Sequence, residues 1–215
     1  MSQKIRLLLD ESRKIDVGPI FNKNGKMDES KVTIGMCGSL SKRKNPDLFC
    51  RIAEKFPNYN FLWIGGKEDF KITPSNLYHV KEVETPYSYY FKIDHFVLFS
   101  EEDPCPYVVL ENIFLNRSVI VFEENIFTIH DPRVCKTVPG SISEENLIKT
   151  IPSLCSEKFI ENECESLGRD YIINNFSYPT IVLDYIKQNY DIQPKSTSGI
   201  SSFIQNCRLF SKRNF

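Results

Sequence analysis

The chain alternates between short apolar, β-rich runs that stop at glycine or serine and amphipathic stretches of about ten residues. The runs are 32–38 (VTIGMCG), 60–66 (NFLWIGG), 76–80 (NLYHV), 95–100 (HFVLFS) and 118–122 (SVIVF), with 134–138 as a candidate last, edge strand. Between them, Pro46 opens a helical pattern with Leu48, Phe49, Ile52, Ala53 and Phe56 on one stripe, closed by Pro57. Residues 86–91 read as a short aromatic helix and 107–115 as a further helix. Runs that are apolar throughout suit strands covered on both faces. Strands joined by helices need right-handed crossovers, which place the strands parallel in one sheet. The expected fold class is therefore α/β, a single doubly wound parallel sheet with helices on both faces. Helices are expected to dominate after it, at 144–151, 156–174 and 177–190, with Ser177 as a candidate N-cap.

Residues 31–192 form the expected folded domain. Residues 1–30 are polar and broken by Gly18, Pro19 and Gly25, and read as an extension or linker with one short helix at 5–15. Residues 193–215 read as a tail, Ser-rich at first and carrying Phe203, Ile204, Leu209 and Phe210 further on. Of the 215 residues, 41% are apolar, enough to fill a core and to exclude a disordered chain. Twenty-seven basic residues against 28 acidic ones leave a charge of −1, so the balance does not favour nucleic acid as a partner. No apolar run approaches the roughly 20 residues of a membrane span, and the N-terminus lacks the apolar stretch of a secretion signal. Seven cysteines with no C-x-x-C pair read as reduced thiols, and the expected location is cytoplasmic. Only His130 and Cys135 come near metal-ligand spacing, so no metal site is expected.

Two loops carry the candidate chemistry. The first, 38–45 (GSLSKRKN), lies between a strand and a helix, where free backbone N–H groups meet anions. Gly38 with Lys42, Arg43 and Lys44 suits a diphosphate; the same residues also suit a solvated basic turn. Neither the G-x-x-x-x-G-K-[ST] nor the G-x-G-x-x-G pattern is present. The second loop, with the helix it leads into, is 100–111 (SEEDPCPYVVLE). Pro104 and Pro106 fix its backbone. Asp103 falls at the loop mouth, and Glu111 lies inside the following helix with seven residues between the two acids. Its neighbours Val108, Val109, Leu110 and Ile113 are apolar, and a carboxylate among them needs hydrogen-bond donors, which a ribose diol supplies. An acidic helix cap accounts for Glu101, Glu102 and Asp103 but not for Glu111. Tyr87, Tyr89 and Tyr90 read first as a packed aromatic turn and second as a base-stacking face.

The stretch SEEDPCPYVVLENIFLNRSVIVF resembles the signature of the family 4 (group 1) retaining glycosyltransferases, which have the GT-B fold. VTIGMCGSLSKRKNPDLF is similar to that family's first strand and phosphate loop, FLWIGG to its second strand, and NNFSY to a late element before its terminal helix. The resemblance covers about 32–190 and implies the C-terminal, donor-binding Rossmann-like half. It implies that Glu111 holds the ribose hydroxyls of a nucleotide sugar, UDP- or GDP-linked. Asp103 and the backbone of Pro104, Cys105, Pro106 and Tyr107 would face the transferred sugar. Gly38, Ser39, Arg43 and Lys44 would meet the diphosphate, with Lys44 stabilising the leaving group and no metal or cofactor required. Backbone near Val83 would meet the base.

The sequence departs from the family pattern in several places. Ser39 stands where an arginine is usual, and Asp103 where a glutamate is. Asn112, Leu115, Asn116 and Ser118 replace the usual small residues and proline around the second acid and the next strand. With 30 residues before the first strand, the acceptor-binding half is expected from another domain or a partner chain, which would bring the glycan or glycoprotein acceptor. The alternative function is a non-catalytic module that binds a nucleotide sugar or serves assembly. A sugar-nucleotide epimerase is disfavoured by the missing dinucleotide fingerprint.

Overall fold

The structure is a computed structural model that describes residues 15–101, 103, 106–125, 129, 131–156 and 167–176. The helix expected at 177–190, the tail at 193–215 and most of the helix at 5–15 lie outside the described residues.

The strands are β1 (Phe21–Asn22), β2 (Gly25–Lys26), β3 (Thr33–Cys37), β4 (Asn60–Ile64), β5 (Leu77–Val80), β6 (His95–Leu98), β7 (Ser118–Phe122) and β8 (Lys136–Val138). The α-helices are α1 (Pro46–Lys55), α2 (Tyr107–Phe114), α3 (Glu144–Ser156) and α4 (Leu167–Phe176). Three 3₁₀ turns, Lys42–Lys44, Tyr87–Lys92 and Glu123–Asn125, link them.

Six strands form one sheet in the order β5-β4-β3-β6-β7-β8, and every pair is parallel. The chain winds outward from β3 through β4 to β5. It then returns to the other flank of β3 and winds outward again from β6. The direction reverses between β3 and β6, where Ile34 faces His95 and Gly35 faces Phe96. Open α/β sheets bind ligands beyond the C-terminal strand ends at such a reversal. This is the doubly wound parallel sheet expected from the alternation of strands and helices.

β3, β4, β6 and β7 are buried along their whole length, which is why their sequences are apolar on both faces. α1 covers one side with Phe49, Ile52 and Ala53. The Phe49 ring stands edge-on to Phe61 at 5.4 Å and to Trp63 at 5.3 Å. On the other flank α2 packs against β7 and against α4, where the Arg169 guanidinium lies 4.8 Å from the Phe114 ring centre.

Two segments differ from expectation. Residues 20–27, expected as linker, form a β1–β2 hairpin whose flanking Ile20 and Met27 are buried in the core. The Asn22 side chain donates to the carbonyls of Ser75 and Leu77, both at 2.9 Å, so the hairpin covers the exposed edge of β5. Two isolated apolar residues around a polar turn leave no periodicity to read. Helix α3 continues past its expected end at 151 and runs through Pro152. Leu147, Ile151 and Cys155 recur every fourth residue on its buried face and hold the helix across the proline. Helix α4 covers the later part of the helix expected at 156–174.

Candidate functional site

The loops after β3 and β6 are stitched together at the reversal point. Gly38 follows β3; its N–H donates to the Ile64 carbonyl at 2.8 Å, and its own carbonyl accepts the Trp63 indole N–H at 2.9 Å. The 3₁₀ turn at Lys42–Lys44 ends on Asn45, whose left-handed backbone (φ 52°) turns the chain into α1 at Pro46. The Asn45 side-chain amide donates to the Phe99 carbonyl at 2.9 Å. The Glu101 N–H donates to the Arg43 carbonyl, also at 2.9 Å. These bonds bring the basic loop and the acidic loop side by side.

Lys44 is 9% exposed, an unusual burial for a lysine. Its aliphatic stem runs along Gly38, with Cε 3.3 Å from where a Cβ on that glycine would stand. Its ammonium is paired with the Asp103 carboxylate. The family resemblance implies Asp103 at the sugar and Lys44 at the diphosphate; the structure joins the two side chains to each other.

Glu111 is 7% exposed, on the face of α2 turned towards the 3₁₀ turn before β6. The Tyr90 hydroxyl donates to its Oε2 at 3.0 Å, and the Tyr87 ring packs against Tyr90 with centres 6.1 Å apart. Burial pushes the Glu111 carboxyl up to about 7, with the Tyr90 and Tyr87 hydrogen bonds pulling the other way. Cys37, the last residue of β3, connects this group to the basic loop. Burial pushes its thiol up to about 11; a hydrogen bond with Tyr90 opposes that, the Glu111 charge adds to it, and the Lys44 charge lowers it. Glu111 and Lys44 therefore act on the same strand end rather than on opposite sides of the molecule.

Next to this strand end a crevice of about 370 Å³ opens at the C-terminal ends of β3, β4 and β5. The end of β3 with the turn after it (Cys37, Gly38, Ser39), the glycines after β4 (Gly65, Gly66), Glu68 and, after β5, Val83 with Pro86 line it. Gly65 has φ +105°, and a Cβ there would lie 2.7 Å from the Gly38 carbonyl oxygen. Only glycine permits this close approach of two loops and leaves bare backbone facing the crevice. Lys67 and Glu82 pair at 3.5 Å on its rim; both are well exposed, so the pair adds little to stability.

Of the sequence-derived residues, Gly38, Ser39 and Val83 line the crevice, and Lys44, Asp103 and Glu111 gather around the end of β3. Pro106 is buried and starts α2. Arg43 is exposed, and Tyr107 is 61% exposed at the start of α2. Pro104 and Cys105 lie outside the described residues. Tyr87, Tyr90 and Cys37 were not among the expected site residues. The available signal was the spacing Tyr-x-x-Tyr, which in a 3₁₀ turn aligns both rings on one side. Among the described residues no group of three or more His, Cys, Asp or Glu clusters as metal ligands do, and no helix is long and apolar enough to cross a membrane.

No protein-family model matches the sequence, and no curated protein matches it. Solved structures do match the fold. Sucrose-phosphate synthase from Thermosynechococcus elongatus is 16% identical over 75% of this chain and 45% of its own, with a TM-score of 0.60. The C-terminal domain of a group 1 family glycosyl transferase, LpcC from Francisella tularensis, is 16% identical over 68% of this chain and 87% of its own, with a TM-score of 0.55. HepE from Anabaena, solved in complex with UDP-glucose, is 11% identical over 89% of this chain and 54% of its own, with a TM-score of 0.57. The chain thus spans about half the length of the longer proteins it matches. At these identities the likeness is one of fold: the chain has the α/β, Rossmann-like architecture of one half of the GT-B glycosyltransferases.

Proposed function

We propose that this chain is the donor-binding half of a glycosyltransferase. In this reading it holds a nucleotide-diphosphate sugar, UDP- or GDP-linked, for transfer to a glycan or glycoconjugate acceptor with retention at the anomeric carbon. The acceptor half comes from another domain or a partner chain. The observation that carries the reading is the gathering of the Gly38 turn, Lys44 and Glu111 at one strand end beside one crevice.

The base occupies the crevice between Gly65–Gly66 and Val83. The ribose hydroxyls donate to Glu111. The diphosphate lies over the backbone of Gly38 and Ser39, and Lys44 exchanges Asp103 for a phosphate oxygen. When the anomeric C–O bond breaks, its electron pair stays on the diphosphate, and Lys44 offsets the charge that develops there. Asp103, released from Lys44, turns to the sugar. Lys44 supplies the positive charge in this scheme, and neither a metal nor an organic cofactor enters it. Arg43 is the further cation of the loop, in place of the arginine that Ser39 replaces. The backbone around Pro104, Cys105, Pro106 and Tyr107 borders the sugar.

Calorimetry with UDP, GDP, ADP and dTDP tests the reading. At least one is expected to bind with a Kd below about 1 mM, and Glu111→Ala is expected to weaken it by about tenfold or more, the loss of hydrogen bonds to a charged group. Failure of all four to bind the unmodified chain overturns the nucleotide reading. Binding undiminished in Glu111→Ala overturns the ribose role.

A further inference from the structure

We infer that Tyr90, with Tyr87 packed against it, is a positioning residue that aims the Glu111 carboxylate at the ribose and favours its ionised form, so that the two tyrosines shift the pH range over which the donor binds. The inference rests on the donor-binding reading given above and adds two residues to it.

The geometry starts with the turn Tyr87–Lys92, which has three residues per turn, so residues three apart lie one above the other. Tyr87 and Tyr90 are such a pair; their rings meet edge to face with centres 6.1 Å apart. The turn is fixed on the sheet from below. Ile93, just after it, fills the space above Gly35 in the middle of β3, where a Cβ would come within 2.2 Å of its side chain. Tyr90 is fully buried and also packs edge-on against Phe96 of β6 at 6.2 Å. The Tyr90 phenol therefore reaches Glu111 from a support with little freedom to move, and the Tyr87 ring packs against it.

A carboxylate has about four lone-pair sites. The Tyr90 donor occupies part of that capacity and leaves the remainder for a diol. The phenols also favour the charged form, against a larger opposing effect of burial. Burial alone drives Glu111 towards its protonated form, and the two phenols are the groups that oppose it. Among the described residues, the other titratable group facing this cluster is Cys37 from β3, whose thiol stays protonated at neutral pH. Lys44, acting on Cys37 from the loop after β3, is paired with Asp103. Burial also raises the Tyr90 phenol well above its usual range, so it remains a donor throughout the working pH. A protonated Glu111 has one fewer accepting oxygen for the ribose, so donor affinity follows the ionised fraction.

Tyr87→Phe and Tyr90→Phe test this in the full chain. The Glu111 carboxyl is followed by carbon-13 NMR from pH 5 to 9, with no nucleotide present. Each variant is expected to raise its titration midpoint, by roughly one unit if one hydrogen bond to the charged form is lost. UDP and GDP binding is then measured at pH 7 and 8.5. A one-unit rise lowers the ionised fraction about fivefold at pH 7, from about one half to about one tenth. Affinity for the nucleotide that binds is therefore expected to fall about fivefold at pH 7 and to return close to the unmodified value at pH 8.5. A purely structural role for the tyrosines would lower thermal stability and leave the midpoint and the pH profile unmoved. An unmoved midpoint in both variants overturns the inference. Tyr87, only half-buried, provides a variant that folds even if Tyr90→Phe does not. If neither nucleotide binds the unmodified chain, the donor-binding reading fails, and the midpoint alone decides whether the tyrosines control Glu111.

Discussion

Glu111 is a carboxyl that the fold makes hard to ionise, and that has a consequence for stability. Its value rises from 4.5 in the unfolded chain to about 7 in the fold. The folded chain therefore binds the proton more tightly than the unfolded one between those two pH values, and stability falls as pH rises across that window. Below about pH 4.5 there is no penalty; above about pH 7 it is constant, at most about 3 kcal/mol. Glu111→Gln keeps the shape and an acceptor oxygen for the two phenols but cannot ionise. Urea denaturation is expected to show the variant more stable than the unmodified chain by about 1–3 kcal/mol at pH 8, with the difference gone at pH 4.5. Equal stability of the two at pH 8 would contradict the burial argument. Lys44 makes the second residue-scale prediction. Its ammonium is held by Asp103, so a diphosphate and Asp103 compete for one cation. Asp103→Asn leaves that cation free and is expected to tighten UDP or GDP binding by about tenfold or more, since charge-assisted bonds contribute roughly 1.5–3 kcal/mol. Calorimetry reads the change, and weaker binding in this variant would contradict the exchange of partners.

The strands were legible because parallel strands buried on both faces have continuous apolar sequences, as VTIGMC, NFLWI and SVIVF do. Helix α1 was legible from its apolar stripe and its two prolines. The hairpin at 20–27 was not, because Asn22 earns its place through bonds to backbone 53 and 55 residues away, which no local pattern encodes. The site was half legible for the same reason. Gly38, Lys44 and Glu111 stand out by type and spacing, whereas the Lys44–Asp103 pair joins residues 59 apart. The Tyr87–Tyr90 turn reads as packing until the carboxylate beneath it is located. At this scale the close approach of the two glycine turns is the feature to test. Gly65→Ala forces a Cβ against the Gly38 carbonyl at a backbone angle unsuited to any side chain. It is expected to cost about 1–3 kcal/mol in thermal or urea denaturation and to weaken nucleotide binding. Unchanged stability would show that the approach is not tight.

On the scale of the whole molecule, winding in two directions from β3 places two loops of opposite charge at one end of the sheet. That fold is shared with proteins only 11–16% identical, such as sucrose-phosphate synthase and HepE. A second crevice of about 370 Å³ lies at the ends of β6 and β7, beside Glu101, Glu124 and Glu144. Glu68 and Glu82 also stand at the crevice beside Gly38, so it is the Gly38 turn and the buried Lys44 next to it, not rim charge, that make that crevice the place for a diphosphate in the proposed reading. Amide NMR of the full chain titrated with UDP-glucose and GDP-mannose discriminates between the two. One of these donors is expected to shift the amides of Gly38, Ser39, Lys44, Gly65 and Val83 together, with a common dissociation constant. Shifts centred on Glu124 and Gly140, or none with either donor at millimolar concentration, would contradict it.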